Sequence, residues 1–367
     1  MGMNVLHVVG ARPNFIKVAP VLRALRQHAG ITQSLVHTGQ HYDVNMSDIF
    51  FQQLGIPAPD VNLEIGSASH AQQTAQIMAR FEPVVLEQKP DMVLVYGDVN
   101  STVAAALVCA KLLVPVAHVE AGLRSGDRTM PEEINRLVTD QLSDLLFTPS
   151  PDGDANLARE GIAASKVHRV GNVMIDTLVR LQPAVAASTV LDDLRLASGG
   201  YSVLTLHRPS NVDDDRVLGA LLGAILALAE RLPAVFPVHP RTRQRLERLG
   251  LALHPERLRL VDPLGYNDFQ RLTSQARIVL TDSGGIQEET SYLGIPCLTL
   301  RTNTERPVTV EVGTNTLVGN DLDLLSIRFH AILDGDGSWN RRPPGGIPLW
   351  DGHAAERIAA VLADRAR

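Results

Sequence analysis

Ile278-Val279-Leu280-Thr281-Asp282-Ser283-Gly284-Gly285-Ile286-Gln287-Glu288-Glu289 is the most informative stretch of the chain. Its first four residues are a short apolar run bounded by polar residues, which predicts a buried strand; the residues after it predict a sharp exit into a helix. Glycine at such an exit lets a ligand approach the backbone, and the first N–H groups of a helix have no partner inside it. That combination suits an anion such as a diphosphate. Taken alone, the stretch would also fit an ordinary strand-to-helix turn with Ser283 as N-cap.

The same pattern recurs on both sides. Short β-branched runs alternate with longer amphipathic stretches, the signature of parallel α/β architecture. Strands are predicted at Asn4–Val9, Ser34–Thr38, Met92–Tyr96, Val116–Val119, Leu145–Thr148 and Val167–Val170. A second series follows at Ser202–Leu206, Ala234–Val238, Leu258–Val261, Ile278–Thr281, Cys297–Leu300 and Thr316–Val318. Each series supplies one doubly wound sheet, so the expected fold is two Rossmann-like domains facing a cleft. The Ala- and Ser-rich stretch Gln182–Gly200 marks the boundary, placing the domains at residues 1–180 and 181–353. Asp334–His353 reads as an irregular connection and Ala354–Arg367 as a closing helix.

At 367 residues the chain is long enough for two cores, and 45% hydrophobic with 20% charged residues is an ordinary globular composition. A formal net charge of −6 lacks the basic surplus that nucleic acid or an anionic membrane would attract. Cys109 and Cys297 stand far apart, against a disulfide framework or a thiolate zinc site. No close His/acid metal spacing is present, so no metal is expected. The first residues lack a secretory pattern, and the longest apolar run, Val217–Ala229, falls short of a membrane span. A cytoplasmic protein is the default expectation.

Polar clusters fall just after the predicted strands, where doubly wound sheets bind ligands. Arg12 and Lys17 after the first strand, and Arg306 in Glu305-Arg306-Pro307, are candidate phosphate cations. Asp98, Glu120, Glu132 and Glu133 come from neighbouring strand-end loops, and crowded carboxylates suit proton abstraction and return near neutral pH. The helical spacing of Glu132, Glu133 and Arg136 equally fits a solvated face. His207, with Arg208 and Asn211, could donate a proton or bind phosphate. Neither Gly-x-Gly-x-x-Gly after the first strand nor a P-loop is present, which removes support for NAD-type binding and P-loop hydrolysis.

Together these segments resemble the non-hydrolysing UDP-N-acetylglucosamine 2-epimerase family. The match runs in order through Gly10 to Lys17, Gly39-Gln40-His41-Tyr42-Asp43, Gly97-Asp98, His118 to Arg124, Pro131 to Arg136, His207-Arg208, Thr281 to Glu289 and Thr304 to Pro307. The resemblance implies a glycosyltransferase B type fold with the terminal helix packing back on the first domain, a homodimer, and no redox cofactor. It implies that Arg12, His207, Phe269, Ser283, Gly284, Gly285, Glu289 and Arg306 hold UDP while Asp98, Glu120 and Glu132 surround the sugar. The C2 proton of a pyranose is not next to a carbonyl, and no nicotinamide motif offers a route to a ketone. The implied chemistry is therefore elimination of UDP to 2-acetamidoglucal and re-addition, converting UDP-GlcNAc to UDP-ManNAc.

The chain departs from the commonest pattern at Pro209-Ser210-Asn211, at Leu264 and in a shorter loop between Glu120 and Pro131. Gln40-His41-Tyr42-Asp43 occurs in epimerases of other UDP-2-acetamido sugars, such as diacetamido uronic acids. In relatives this segment lines a second UDP-GlcNAc site, and an ionised Asp43 beside a diphosphate is expected to weaken activation there. The competing functions are a hydrolysing epimerase, a glycosyltransferase of the same fold, and a binding protein without catalysis.

Overall fold

The computed structural model describes residues 2–40, 51–250, 254–335 and 346–366. The chain divides into two compact units, Met1–Arg180 with Pro348–Arg367, and Leu181–Ile347.

The first unit is built on seven strands: β1 (Met3–Val9), β2 (Ile31–His37), β3 (Val61–Asn62), β4 (Met92–Tyr96), β5 (Val116–Val119), β6 (Leu145–Thr148) and β7 (Val167–Arg169). They lie in the order β3-β2-β1-β4-β5-β6-β7, all parallel. Every residue of β4, β5 and β6 is buried, which explains their continuous apolar runs: a parallel strand covered on both faces has no water-facing side to encode. Only β3 was not expected, because two edge residues carry no periodic signal.

The second unit holds β8 (Ser202–Thr205), β9 (Ala234–Pro237), β10 (Leu258–Val261), β11 (Ile278–Thr281), β12 (Cys297–Thr299) and β13 (Asn315–Leu317). Their order is β10-β9-β8-β11-β12-β13, again all parallel. Leu204, Phe236, Leu280 and Leu298 from its strands pack with Leu218, Leu222, Ile225, Leu325 and Phe329 from two flanking helices. The strand order therefore reverses at corresponding places, between β1 and β4 and between β8 and β11. At such a switch point the connections leave in opposite directions and open a crevice at the carboxyl ends of the strands.

The helix after β7, Val173–Ala186, runs through the boundary between the units. The chain rejoins the first unit at Pro348, ahead of the closing helix. Trp350 is buried and its indole N–H donates to the Pro149 carbonyl at 2.9 Å. The helix Ala354–Arg365 is received by Asp176, whose carboxylate accepts the N–H groups of Ala354 (3.1 Å) and Ala355 (2.7 Å). Burial pushes that carboxyl up to about 6, although these two N–H groups favour its charged form. No helix among the described residues is long and apolar enough to cross a membrane.

Candidate active site

In the first unit the switch-point residues follow β1 and β4. Asn14 closes the turn after β1: its side-chain oxygen accepts from the N–H groups of Gly10 (3.0 Å) and Ala11 (3.1 Å), while its amide donates to Tyr96 O at the end of β4 (2.7 Å). Arg12 begins the helix Arg12–Leu25, and Lys17 lies buried on it. Lys17, expected on a phosphate, is ion-paired with Glu120, which is also buried. Gly97 sits against this pair. With φ +63, and with a Cβ that would lie 2.6 Å from Lys17 Nζ and 3.1 Å from Glu120 Oε2, the position favours glycine.

Asp98 is held by Arg136 at 2.5 Å. Arg136 is among the largest fully buried side chains and also grips Glu133 at 2.5 Å, so this helix face is interior and not solvated. Glu133 accepts from the N–H groups of Ser125 (2.9 Å) and Gly126 (3.0 Å). Burial would raise its pKa, but these hydrogen bonds and Arg136 outweigh burial and hold it below the usual carboxylate range. A carboxylate so engaged serves to fix the loop and its arginine, not to move protons. Glu132, at the start of the same helix, is half-buried and has no polar partner among the described residues. The structure thus brings Asp98, Glu120 and Lys17 together around Gly97, with Arg136 behind them. Gln40 lies at the neighbouring edge, where its side-chain oxygen accepts from Ser101 N (3.1 Å) and Ser101 Oγ (2.7 Å). His41 and Asp43 lie outside the described residues.

In the second unit the switch-point residues follow β8 and β11. Ser283 is the N-cap of the helix Gly284–Leu293, yet its side chain makes no cap hydrogen bond, so capping is not what its hydroxyl is used for. A Cβ on Gly284 would lie 2.6 Å from Arg306 Nη1 and 2.7 Å from Glu305 Oε1. Glycine here makes room for an arginine at the head of the helix. Arg306 is buried against Glu305 (2.6 Å) and Glu288 (2.9 Å), and Glu305 also binds Arg301 at 2.7 Å. Buried acids in this unit therefore anchor cations beside a helix N-terminus, an arrangement that favours a polyanionic ligand.

Asp282, which the sequence reading left without a role, organises the other side. It is fully buried and accepts from the backbone N–H groups of His207 (3.1 Å) and Arg208 (3.0 Å) and from Asn211 Nδ2 (3.1 Å), and its Oδ1 lies 2.7 Å from His207 Nδ1. Burial alone would raise this carboxyl; His207, Arg208 and Asn211 more than offset it. The His207 side chain remains 57% exposed, held by one nitrogen with its other edge outward. Glu289 is buried beneath the helix and accepts from Tyr266 OH at 3.2 Å; burial pushes its carboxyl up to about 7. Phe269 is half-buried against the core that includes Tyr201 and Val279. Asp282 and Gln287 organise the candidate site without having been singled out in the sequence. The only signal for Asp282 was its place directly after a strand. Gln287 joins the Ser283 carbonyl (3.1 Å) at the head of its own helix to Thr304 (2.7 Å) and Asn315 (2.9 Å) in two later segments.

The description "UDP-N-acetylglucosamine 2-epimerase" belongs to the family model that residues 23–363 match. A Methanocaldococcus jannaschii protein named UDP-N-acetylglucosamine 2-epimerase is 42% identical over 98% of this chain and 99% of its own. The crystal structure of that organism's UDP-GlcNAc 2-epimerase, in complex with UDP-GlcNAc and UDP, superposes with a TM-score of 0.90 at 41% identity, covering 99% and 100% of the two chains. A Pseudomonas aeruginosa protein named UDP-2,3-diacetamido-2,3-dideoxy-D-glucuronate 2-epimerase is 43% identical over 98% of this chain and 99% of its own. A Streptomyces glycosyltransferase complexed with thymidine diphosphate shares the fold alone, with a TM-score of 0.58 at 15% identity over 99% of both chains. Likeness at this level spans both sheets and every strand-end cluster, and the chain belongs to the UDP-N-acetylglucosamine 2-epimerase family.

Proposed function

We propose that this chain interconverts UDP-GlcNAc and UDP-ManNAc by elimination and re-addition, without net hydrolysis. A carboxylate removes the C2 proton as the C1–O bond breaks and UDP departs with the bonding electrons, leaving 2-acetamidoglucal. A proton then returns to C2 on the other face and UDP re-adds at C1, so atoms balance and no external oxidant is needed. The observation that carries this reading is the pair Asp98 and Glu120, on adjacent strand ends and each fixed by a buried cation, Arg136 and Lys17. In this reading Asp98, Glu120 and Glu132 serve the sugar and move its proton. Arg12, Arg306, His207 and the Ser283-Gly284-Gly285 turn receive the diphosphate charge that develops on UDP, the type of stabilisation that gives most of its benefit in the transition state. Phe269 and Glu289 hold the nucleoside.

Proton NMR of UDP-GlcNAc with the protein in heavy water, with no added NAD or metal, tests the proposal. The expected result is UDP-ManNAc with deuterium at C2 of product and of recovered substrate. Free ManNAc with UDP would indicate the hydrolysing reaction, and retention of the original C2 proton after many turnovers would overturn the carboxylate relay. The 43% identity to the Pseudomonas aeruginosa protein favours a second reading, in which the sugar is a UDP-2,3-diacetamido uronate; comparing kcat/KM for the two substrates separates them. The active species in this proposal is a homodimer, which light scattering reads directly.

A further inference from the structure

Two strand-end turns carry the carboxylates assigned above to the sugar, and a single buried side chain reaches both. Asp140 lies on the Pro131–Leu142 helix with no exposed surface. Its Oδ1 is 2.6 Å from Nδ1 of His118, and the opposite nitrogen of that ring meets the Gly97 carbonyl at 2.8 Å. A carbonyl only accepts, so His118 Nε2 carries the hydrogen and the ring orientation is set by its two neighbours. The second oxygen of Asp140 accepts from Gly122 N–H at 3.1 Å and is paired with Arg124 at 2.7 Å. Arg124 is in turn gripped in a two-pronged fashion by Glu160 (2.8 and 2.6 Å).

The positions at the ends of these bonds are the ones that matter. Asp98 follows Gly97 directly, and Glu120 precedes Gly122 by two residues. Glu120 has φ +76, a left-handed conformation that a residue with a Cβ keeps only where its surroundings hold it. Gly97 is also left-handed, at φ +63. One strained turn at Glu120 and one left-handed glycine turn at Gly97 are thus tied to one helix, which also supplies Arg136 to Asp98.

We propose that Asp140, acting through His118 and the Gly122 N–H, is a positioning residue for the reaction that sets the spacing of the Asp98 and Glu120 turns. It has no contact with substrate in this account. The inference rests on the epimerase reading, and a purely structural role would predict only lower stability.

The test measures UDP-GlcNAc turnover, C2 deuterium incorporation and UDP affinity for wild type, Asp140→Ala, Asp140→Asn and His118→Phe. Displacing reacting groups by about an ångström costs on the order of 10²-fold. Asp140→Ala and His118→Phe should therefore lower kcat by about 10- to 100-fold, with KM and UDP affinity nearly unchanged. Asp140→Asn, which can still accept from Gly122 while its amide donates to His118, should recover most of the loss. If Asp140→Ala does not fold, His118→Phe, which keeps the ring volume, carries the same comparison. A folded variant with near wild-type kcat, or one whose UDP affinity falls in step with kcat, overturns the inference. If wild type exchanges no C2 proton, the epimerase reading fails and takes the inference with it; an exchanging wild type matched by Asp140→Ala defeats the inference alone.

Discussion

The two units share a strand order and put their polar residues at corresponding strand ends, yet they use their acids in opposite ways. In the first unit, cations are buried behind the acids: Lys17 supports Glu120 and Arg136 supports Asp98. In the second, acids are buried behind the donors: Glu305 and Glu288 support Arg306, and Asp282 supports His207 with the backbone of its turn. In the proposed function, one architecture thus yields a carboxylate site in one unit and an anion site in the other. Topology sets where chemistry happens, and the side chains pointing outward or inward set its kind.

The comparison is tested most severely by Asp98→Asn and Glu120→Gln. If the first unit holds the proton chemistry, each lowers kcat by about 10²-fold or more, the scale of general acid–base catalysis, while UDP affinity measured by calorimetry stays close to wild type. Normal turnover in either variant would remove that residue from the proton relay.

The converse change is Arg306→Ala, which leaves Glu305 and Glu288 buried without that cation. Loss of one charge-assisted anchor, roughly 1.5–3 kcal/mol, should weaken UDP binding by about 10- to 100-fold. An unchanged Kd would mean that the second unit's arginine serves only the fold. Asp282→Ala should act in the same direction by freeing the His207–Asn211 turn, which calorimetry with UDP again reports.

A smaller effect is expected from Gly97→Ala. The new methyl must displace Lys17 from Glu120, and the left-handed backbone costs about 1–2 kcal/mol for a residue with a Cβ. The unfolding midpoint should drop by a few degrees and kcat should fall, with UDP affinity retained; a variant as stable and active as wild type would show that the Lys17–Glu120 pair tolerates separation.

A separate effect, spread over a range of conditions, concerns pH. The Glu289 carboxyl is raised from 4.5 to about 7 by burial, so the folded protein keeps a proton there that the unfolded chain releases above its own pKa. Stability therefore falls as pH rises from about 4.5 to 7, by at most roughly 3 kcal/mol. Glu289→Gln should flatten that part of the curve. An identical pH dependence of thermal unfolding in the variant would assign the fall to other groups.

Eleven of the thirteen strands among the described residues reach within a residue of the expected positions at both ends, because buried parallel strands write themselves as short apolar runs between turns. β2 begins three residues earlier than expected, at Ile31, because Thr32 and Gln33 interrupt the apolar pattern at a strand end that is only partly covered. The strand-end clusters were legible for the same reason. What could not be read was partnership. Lys17 and Glu120 are 103 residues apart and His207 and Asp282 are 75 apart, and nothing local distinguishes a lysine that meets phosphate from one that neutralises an acid. The helix face Glu133, Arg136 and Asp140 has the spacing and polarity of a solvated surface, and only the sheet beside it makes it interior.

The return of residues 348–366 to the first unit has a consequence for biosynthesis. A ribosome finishes the seven-strand sheet before it starts the second unit, but Trp350 and the helix that Asp176 receives are translated only after residue 347. Domains usually fold as units in the order of their synthesis. Here the earlier unit must wait, with the surface awaiting Trp350, Ile358 and Leu362 uncovered, until the later one has been made. Translational pauses or a stop codon near position 347 would thus injure the part of the molecule that was synthesised first.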